Sequence, residues 1–506
     1  MSLNSRLQTF DHAFFGSIID KDDPQVIPNY YAANVENFLI RNRGELEVRD
    51  GLTARGTSPS ATNLGAIQLI RQGTKYLLRV VNGSSNTSKF QHSQDGLTWS
   101  DVTGGGSKTT NQVWKFVQAN EFIYGVNGTD TPIKYDGGSI ATISAIPNGE
   151  AIGWFRNHMF IGGVSSVPDR LYYSNINDPE TWGGSSFINV NLGDGSPITG
   201  LKGIGGATAR LLIGKERSVW YLTGFTSSDF AISPLTYEHG VASQESMIEV
   251  GNDVWAIDLE GNIRGLYRTT EDVPFTALRS RDIQSLVSGL AKSSITKSTA
   301  VYFDNYAMFF VPNGVDSHNS LVLVWDTMAN EKRGGWIKFT NWNIARAVVF
   351  NQTEPQLYLF DSREGNGQAY QWTGTSDNSL AIQANYETKI YDHGFPERRK
   401  NWKYAIQYAP TIGNVNVSFY TSIDRYYYSL VDTVNLQGTG DAQWDVAQWD
   451  VAVWSSLGTV RDRVLLTGGG STNKGYSVQV RLRAESATTK IRLRRFTLHY
   501  RVLGLR

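Results

Sequence analysis

The chain has 506 residues, in which 47 lysines and arginines are balanced by 47 aspartates and glutamates, and it has no cysteine. Zero net charge removes any whole-protein argument for nucleic-acid or anionic-membrane binding, and the lack of cysteine excludes disulfides and thiolate metal sites and suits folding in a reducing cytoplasm. Aromatic residues at 12%, charged residues at 19% and 50 glycines describe short strands joined by tight turns, so the fold class expected is all-β.

The chain opens without a basic start followed by an apolar run, so no secretory leader is expected. No stretch of about 18 apolar residues occurs, so no membrane insertion by a helix is expected either. Residues 1–54 read as an N-terminal arm holding two strands joined at Arg43-Gly44. The pair is free to complete the last blade of the propeller read below, join the C-terminal sandwich, or reach a neighbouring subunit.

From 55 to 380 one signal recurs: a short aromatic or β-branched run, a turn, then a second run ending in Tyr or Trp. The runs begin at Lys75, Glu121, His158, Arg210, Asn252, Tyr306 and Gln356. Their spacing of about 40 to 50 residues is the period of propeller blades of four short strands. Second runs follow at Asp169-Arg-Leu-Tyr-Tyr-Ser, Arg217-Ser-Val-Trp-Tyr-Leu and Ser320-Leu-Val-Leu-Val-Trp. A β-propeller of six or seven blades is expected, one run being open to reading as a fragment. Arg281–Lys292 is the one segment fit for a short helix. Asn82-Gly-Ser and Asn127-Gly-Thr match a glycosylation pattern but read as turns.

Ser93-Gln-Asp95-Gly96-Leu-Thr98-Trp99 matches an Asp-box turn shortened by one residue. Its aspartate is suited to accept turn amides, its glycine to take a positive φ, and its tryptophan to pack beneath. Ser174-Asn-Ile-Asn-Asp178-Pro-Glu-Thr-Trp182 reads as a longer variant. Such turns support a propeller and carry no activity.

Beyond about residue 380 the strands lengthen and alternate polar with apolar, as in Gln383–Tyr391, Val415–Tyr420, Ser477–Ala484 and Ile491–Tyr500. A β-sandwich-like domain is expected over 381–506. Inside it, Gln443-Trp-Asp-Val-Ala is repeated from Gln448 and closed by Val453-Trp454. This is either a turn-rich insertion pinned by its tryptophans or an exposed aromatic docking surface. Arg481, Arg483, Arg492, Arg494 and Arg495 make the last strands basic. They form a solvated face, or one paired with acids of a neighbour, or they line a passage for DNA, attracting phosphates without reading sequence.

Chemistry-bearing patterns are missing. The seven histidines include no i, i+2 or i, i+4 pair, and no nucleophile elbow or phosphate loop occurs. Gly203-Ile-Gly205-Gly206 reads as a turn between blades. No catalytic, cofactor or metal residue is assigned, and the chain is not expected to be an enzyme. A glycoside-cleaving or carbohydrate-binding propeller is the alternative. It needs carboxylates and arginines converging on the central channel, and Asp169, Asp253, Asp258 and Asp304 are its candidate acids.

Three segments resemble the tail hub and nozzle proteins of short-tailed bacteriophages, the family that includes packaged-DNA stabilisation proteins. They are Glu36–Leu52; Trp154–Gly163 continuing into Asp169–Trp182; and Leu212–Gly224 with His239-Gly240 and Val250–Trp255. The Tyr172-Tyr-Ser…Asp178-Pro-Glu-Thr-Trp182 block is the most specific. The resemblance implies a virion tail protein assembled in the host cytoplasm, forming a homohexameric ring below the portal and its adaptor. Such a ring would continue the DNA channel, help retain the packaged genome until ejection, pass double-stranded DNA without sequence specificity, and seat a fibre, spike or closing needle.

Overall fold

The computed structural model describes residues 7–41, 44–82, 87–205, 209–268, 277–410, 416–435, 459–466 and 473–503. The repeated Trp-Asp-Val-Ala segment lies outside these residues.

Each recurring run of the sequence is the second strand of a four-stranded antiparallel blade, and among the described residues there are seven such blades, blade two extended by Thr103-Gly104 in parallel with Ser139–Thr142. Blade one comprises Asn63–Arg71, Thr74–Asn82, Ser88–Ser93 and Ser100–Asp101, and blade two Lys115–Ala119, Phe122–Val126, Ile133–Tyr135 and Ser139–Thr142. Blade three comprises Ala151–Phe155, His158–Gly162, Arg170–Tyr173 and Phe187–Asn189. Blade four follows with Ile198–Ile204, Arg210–Lys215, Val219–Thr223 and Ala231–Thr236, and blade five with Ile248–Val250, Asp253–Ile257, Ile263–Arg268 and Ala277–Leu278. Blade six is Thr299–Phe303, Tyr306–Pro312, Asn319–Asp326 and Gly335–Thr340; blade seven takes Ile344–Asn351, Pro355–Asp361 and Ala369–Trp372 from the end of the repeat. Its fourth strand, Leu52–Arg55, comes from before blade one and pairs antiparallel with Ala369–Trp372. The ring is thus closed by the N-terminal arm, and the expected boundary at 54/55 falls inside a propeller strand.

The hairpins inside the blades are tight because their turn residues accept left-handed backbone. Arg156-Asn157 (φ 50° and 60°) and Asp304-Asn305 (φ 47° and 69°) both carry positive φ at two successive positions, the type I′ geometry that matches strand twist. Gly203 and Ile204 end the first strand of blade four, paired with Leu211 and Arg210 of its second strand, so this segment lies within a blade and not between blades as its glycines suggest, and Gly206 lies outside the described residues. The expected short helix is Gln284–Ser288, flanked by 3-10 turns between blades five and six.

Blades pack face to face through fully buried apolar side chains. Tyr124 and Val126 of blade two meet Ile152, Met159 and Ile161 of blade three. Leu77 of blade one meets Phe350, Tyr358 and Phe360 of blade seven. Burial of such side chains, at about 25 cal/mol per Å² of apolar surface, is what holds the ring together.

Phe38–Arg41, Glu45–Val48 and Arg492–Leu493 form a separate three-stranded sheet, a hairpin joined by a late strand, and the long remaining strands form the sandwich. One sheet runs Ala32–Glu36, Leu380–Thr388, Val478–Ser486, Asn416–Ile423 and Ser429–Asn435; the other runs Gln8–His12, Arg495–Val502, Lys400–Pro410 and Thr459–Leu465. Alternation sets the faces: Val478, Val480, Leu482 and Ala484 are buried while Arg481 and Arg483 point outward. Between the sheets, His12 stacks on Phe496 at 4.8 Å and Phe15 meets Tyr386 edge-on at 4.9 Å. Both ends of the chain therefore build one domain, and the sandwich is not confined to 381–506.

The sandwich is stitched to the propeller. Glu36 pairs in parallel with Lys338 on the outer strand of blade six, and Asp377 pairs with Leu52 on the outer strand of blade seven. At this seam Arg49 is fully buried. Its Nη1 and Nη2 donate to the two carboxylate oxygens of Asp377 at 2.9 and 2.7 Å. Nε donates to Asn37 Oδ1 at 2.8 Å, and the remaining donors reach the carbonyls of Asp50 (3.0 Å) and Thr340 (3.2 Å). All five guanidinium donors are used, with the group stacked on Trp342 at 4.6 Å. Arg49→Ala leaves Asp377 without its counter-charge and opens a gap against Trp342. Chemical denaturation should show a loss of about 3–5 kcal/mol; a loss under about 1 kcal/mol would mean the seam is held elsewhere.

Candidate functional site

The Asp-box residues sit between the third and fourth strands of blade one. Ser93 Oγ donates to Asp95 Oδ1 and accepts from the Gly96 amide, both at 2.8 Å. Asp95 also accepts from the amides of Leu97 and Thr98 at 2.8 Å and from Thr98 Oγ1 at 3.0 Å. Partial burial raises this carboxyl, but those amides and hydroxyls outweigh it and hold it at about 2. Gly96 has φ +72° and abuts the Tyr358 ring of blade seven, where a Cβ would collide. Trp99 lies 4.0 Å beneath the Arg79 guanidinium and meets Phe360 edge-on.

Asp178 and Trp182 occupy the same loop of blade three. Asp178 is held below its ordinary value by the Thr181 hydroxyl and the Glu180 amide, and Trp182 Nε1 donates to the Pro179 carbonyl at 2.9 Å. Two equivalents carry no box motif. Asp136 accepts the Gly138 and Ser139 amides in blade two, and Asp229 accepts those of Phe225 and Thr226 in blade four. An Asp followed or preceded by Gly and Ser was the only available signal. All four aspartates spend their oxygens on their own loops, which makes these turns structural.

The five C-terminal arginines are each matched by a carboxylate of the same chain. Arg481 meets Glu387 at 2.9 Å and stacks 3.8 Å over Tyr428; Arg483 meets Glu485 at 3.2 Å. Arg492 meets Glu47 at 2.6 Å, Arg494 meets Glu45 at 3.0 Å, and Arg495 meets Asp11 at 3.2 Å. They do not share one face: the first two lie on the outer face of one sandwich sheet, while Arg492 and Arg494 pair with the hairpin strand Glu45–Val48. Glu47 is shared, receiving Arg41 and Lys490 as well as Arg492.

The candidate acids of the alternative reading are dispersed. Asp169 binds the buried Lys215 at 2.9 Å, Asp253 binds Arg279 at 2.6 Å, and Asp258 caps its own turn and binds Arg264 at 2.6 Å. Asp304 is exposed at a hairpin tip. Among the described residues no group of three or more His, Asp or Glu side chains is placed to hold a metal ion. His12 is enclosed between the sandwich sheets, where burial lowers it to about 3 and Tyr391 Oη lies 2.8 Å from Nδ1.

Two features escaped the sequence reading. The first is a cavity of about 200 Å³ at the rim of blade six, lined by Ile40, Arg41, Asp304, Asn305, Tyr306, Asp326 and Met328. Asp326 is buried there; Oδ1 accepts the Met328 amide at 2.8 Å, and Oδ2 has no partner. The second is an open groove of about 490 Å³ at the tip of the hairpin Asn416–Ile423/Ser429–Asn435, lined by Arg399, Asp424, Tyr426, Tyr427 and Lys474 among others. Tyr426 is 76% and Tyr427 95% exposed.

No family model matches this sequence and no curated protein does. Among solved structures, the chain is similar to one titled YCF48 bound to D1 peptide, at 11% identity and TM-score 0.39, covering 64% of this chain and 96% of that one. It is also similar to the WD40 domain of Toxoplasma gondii coronin, at 8% identity and TM-score 0.40, covering 70% and 88%. The class defined is a β-propeller protein with an added β domain.

Burial raises Asp326 to about 6; the Met328 and Ala329 amides and Arg41 oppose the shift, and Asp304 adds to it. The folded protein thus keeps this proton up to about pH 6, whereas the unfolded chain releases it near 3.8, so the group removes stability as pH rises through that window. Asp326→Asn cannot ionise. Relative to wild type it should gain up to about 3 kcal/mol between pH 4 and pH 7.5, read from denaturation midpoints. A difference that does not change with pH would contradict the assignment.

Proposed function

We propose that this chain is a structural subunit of a short-tailed phage tail, a nozzle or hub ring that prolongs the DNA channel below the portal and adaptor. It would help retain the packaged genome, deliver it, and seat a fibre, spike or needle. The observation that carries the reading is the stitched sandwich. It fixes a second, differently shaped body on the outer edge of blades six and seven, with the outer edge of strand Ser429–Asn435 open and the Tyr426-Tyr427 tip exposed among the described residues. Open strand edges demand a partner, and exposed tyrosines beside Arg399 and Lys474 have the composition of an interface core. Two unlike surfaces on one subunit give head-to-tail contacts, which close into rings. The sequence resemblance points to the same assembly.

Ion-paired arginines suit a passage of this kind. A lining of free cations would bind phosphates tightly and hold the DNA back, whereas paired ones attract them less, so that a duplex slides.

Electron microscopy of the full chain, alone and with neighbouring tail proteins, should show six-fold rings with a hole of roughly 20 Å or more, wide enough for a duplex. Replacing Tyr426 and Tyr427 with serine should abolish rings while leaving the unfolding midpoint of the subunit unchanged. Separate propellers under every condition would refute the ring.

A second reading, a carbohydrate-binding or glycoside-cleaving propeller, draws on one observation: Lys115, Arg346, Glu150 and Glu245 gather at one end of the axial channel.

A further inference from the structure

The seven inner strands run in the same direction around the axis, so the residues that begin them meet at one end of the channel. Lys115 begins the inner strand of blade two, and Arg346 is the third residue of that of blade seven. Between them stands the turn Gln244–Ser246, which precedes the inner strand of blade five. This turn spans a neighbouring blade: Gln244 Oε1 accepts the Ile152 amide of blade three at 3.0 Å, passing over blade four. Blade four makes room with a bulge between Ile198 and Gly200, and a Cβ on Gly200 would strike Met247 and Gln244. The turn therefore packs over the start of blade four's inner strand at this end of the propeller.

Behind it lie two cations whose hydrogen-bonding capacity is unspent. Arg346 is only 6% exposed. Among the described residues its one side-chain hydrogen bond is from Nη1 to the carbonyl of its neighbour Ala345, at 2.6 Å, and its buried Nε has no partner. Lys115 keeps some contact with solvent and makes neither a hydrogen bond nor an ion pair among the described residues. Glu245 and Glu150 act on these charges from a distance, and neither forms an ion pair with them. Two other fully buried cations are matched by this chain: Arg49 uses five donors, and Lys215 binds Asp169, Asp194 and the Val190 carbonyl. Burial lowers Lys115, and the nearby Arg346 charge lowers it further against the pull of Glu150 and Glu245. Neighbouring like charges in a water-poor cleft create a potential that draws in an anion.

We propose that this end of the propeller's axial channel is a binding site for a compact oxyanion, a phosphate or carboxylate group, held by Arg346 and Lys115. Arg346 offers a planar pair of donors, the fork that matches two oxygens of such a group, and Lys115 supplies a point charge. This assignment does not depend on ring formation, since all its residues belong to one propeller.

The test is isothermal titration calorimetry of the full chain with sodium phosphate, and separately with sodium acetate, at fixed ionic strength in chloride. One saturable site per chain is expected for at least one of the two anions, and which one binds identifies the group. Arg346→Gln and Lys115→Gln should each weaken it about tenfold or more, a change of about 1.4 kcal/mol, while Arg399→Gln on the sandwich leaves it unchanged. Lys115 is partly exposed, so its variant decides the matter if Arg346→Gln does not fold. Absence of binding by both anions, or equal affinity in wild type and Lys115→Gln, overturns the proposal. Binding of a neutral saccharide in place of either anion overturns it too and favours the glycan reading.

Discussion

The whole architecture depends on one buried cation. Stripping a guanidinium of water is costly unless its donors find acceptors, and Arg49 finds five: two oxygens of Asp377, one of Asn37, and two backbone carbonyls. Those acceptors come from different parts of the chain. Asn37 ends the N-terminal strand of the sandwich, Thr340 ends blade six, and Asp377 lies just beyond blade seven. Asn37 holds a left-handed backbone (φ 57°), and its amide donates to Thr340 Oγ1 and to the Gln383 carbonyl. The pairing is thus satisfied only when hairpin, blades and sandwich are all in place.

From that seam the other features follow. The arm that carries Arg49 continues directly into Leu52–Arg55, so anchoring the arginine also positions the strand that closes the propeller. With the ring closed, the inner strands are aligned, and their first residues gather at one end of the axis. With the sandwich anchored, its far strands and the tyrosine tip project away from the propeller, where another subunit can reach them.

Much of the propeller was legible because its physics is local. Seven apolar runs at blade spacing proved to be seven second strands, since a blade's second strand is buried on both faces and must be apolar throughout. The Asp95 turn was readable because its carboxylate, glycine and tryptophan lie within seven residues of sequence. The alternation at Val478–Ala484 gave the sandwich strands for the same reason. What escaped depends on distant pairing. Nothing near Arg481 or Arg492 announces Glu387 or Glu47 as partners, so a run of arginines read as a positive face when folding makes it a row of ion pairs. Nothing in Arg49 separates it from other arginines until Asp377 is brought beside it. Lys115 and Arg346, lone cations in apolar strands, were the only hints of the axial cluster, and strand periodicity could not say that they meet.

The account's central claim is that propeller and sandwich are one cooperative body, locked at Arg49. Native-state hydrogen exchange, resolved by residue, measures this most directly. If the claim holds, amides of Leu52–Arg55, Gly335–Thr340 and Leu380–Thr388 exchange with one common opening free energy equal to that of global unfolding. If the sandwich strand instead exchanges through a separate, lower-energy opening while the blades stay protected, the two are independent domains and the seam does not carry the role given to it here.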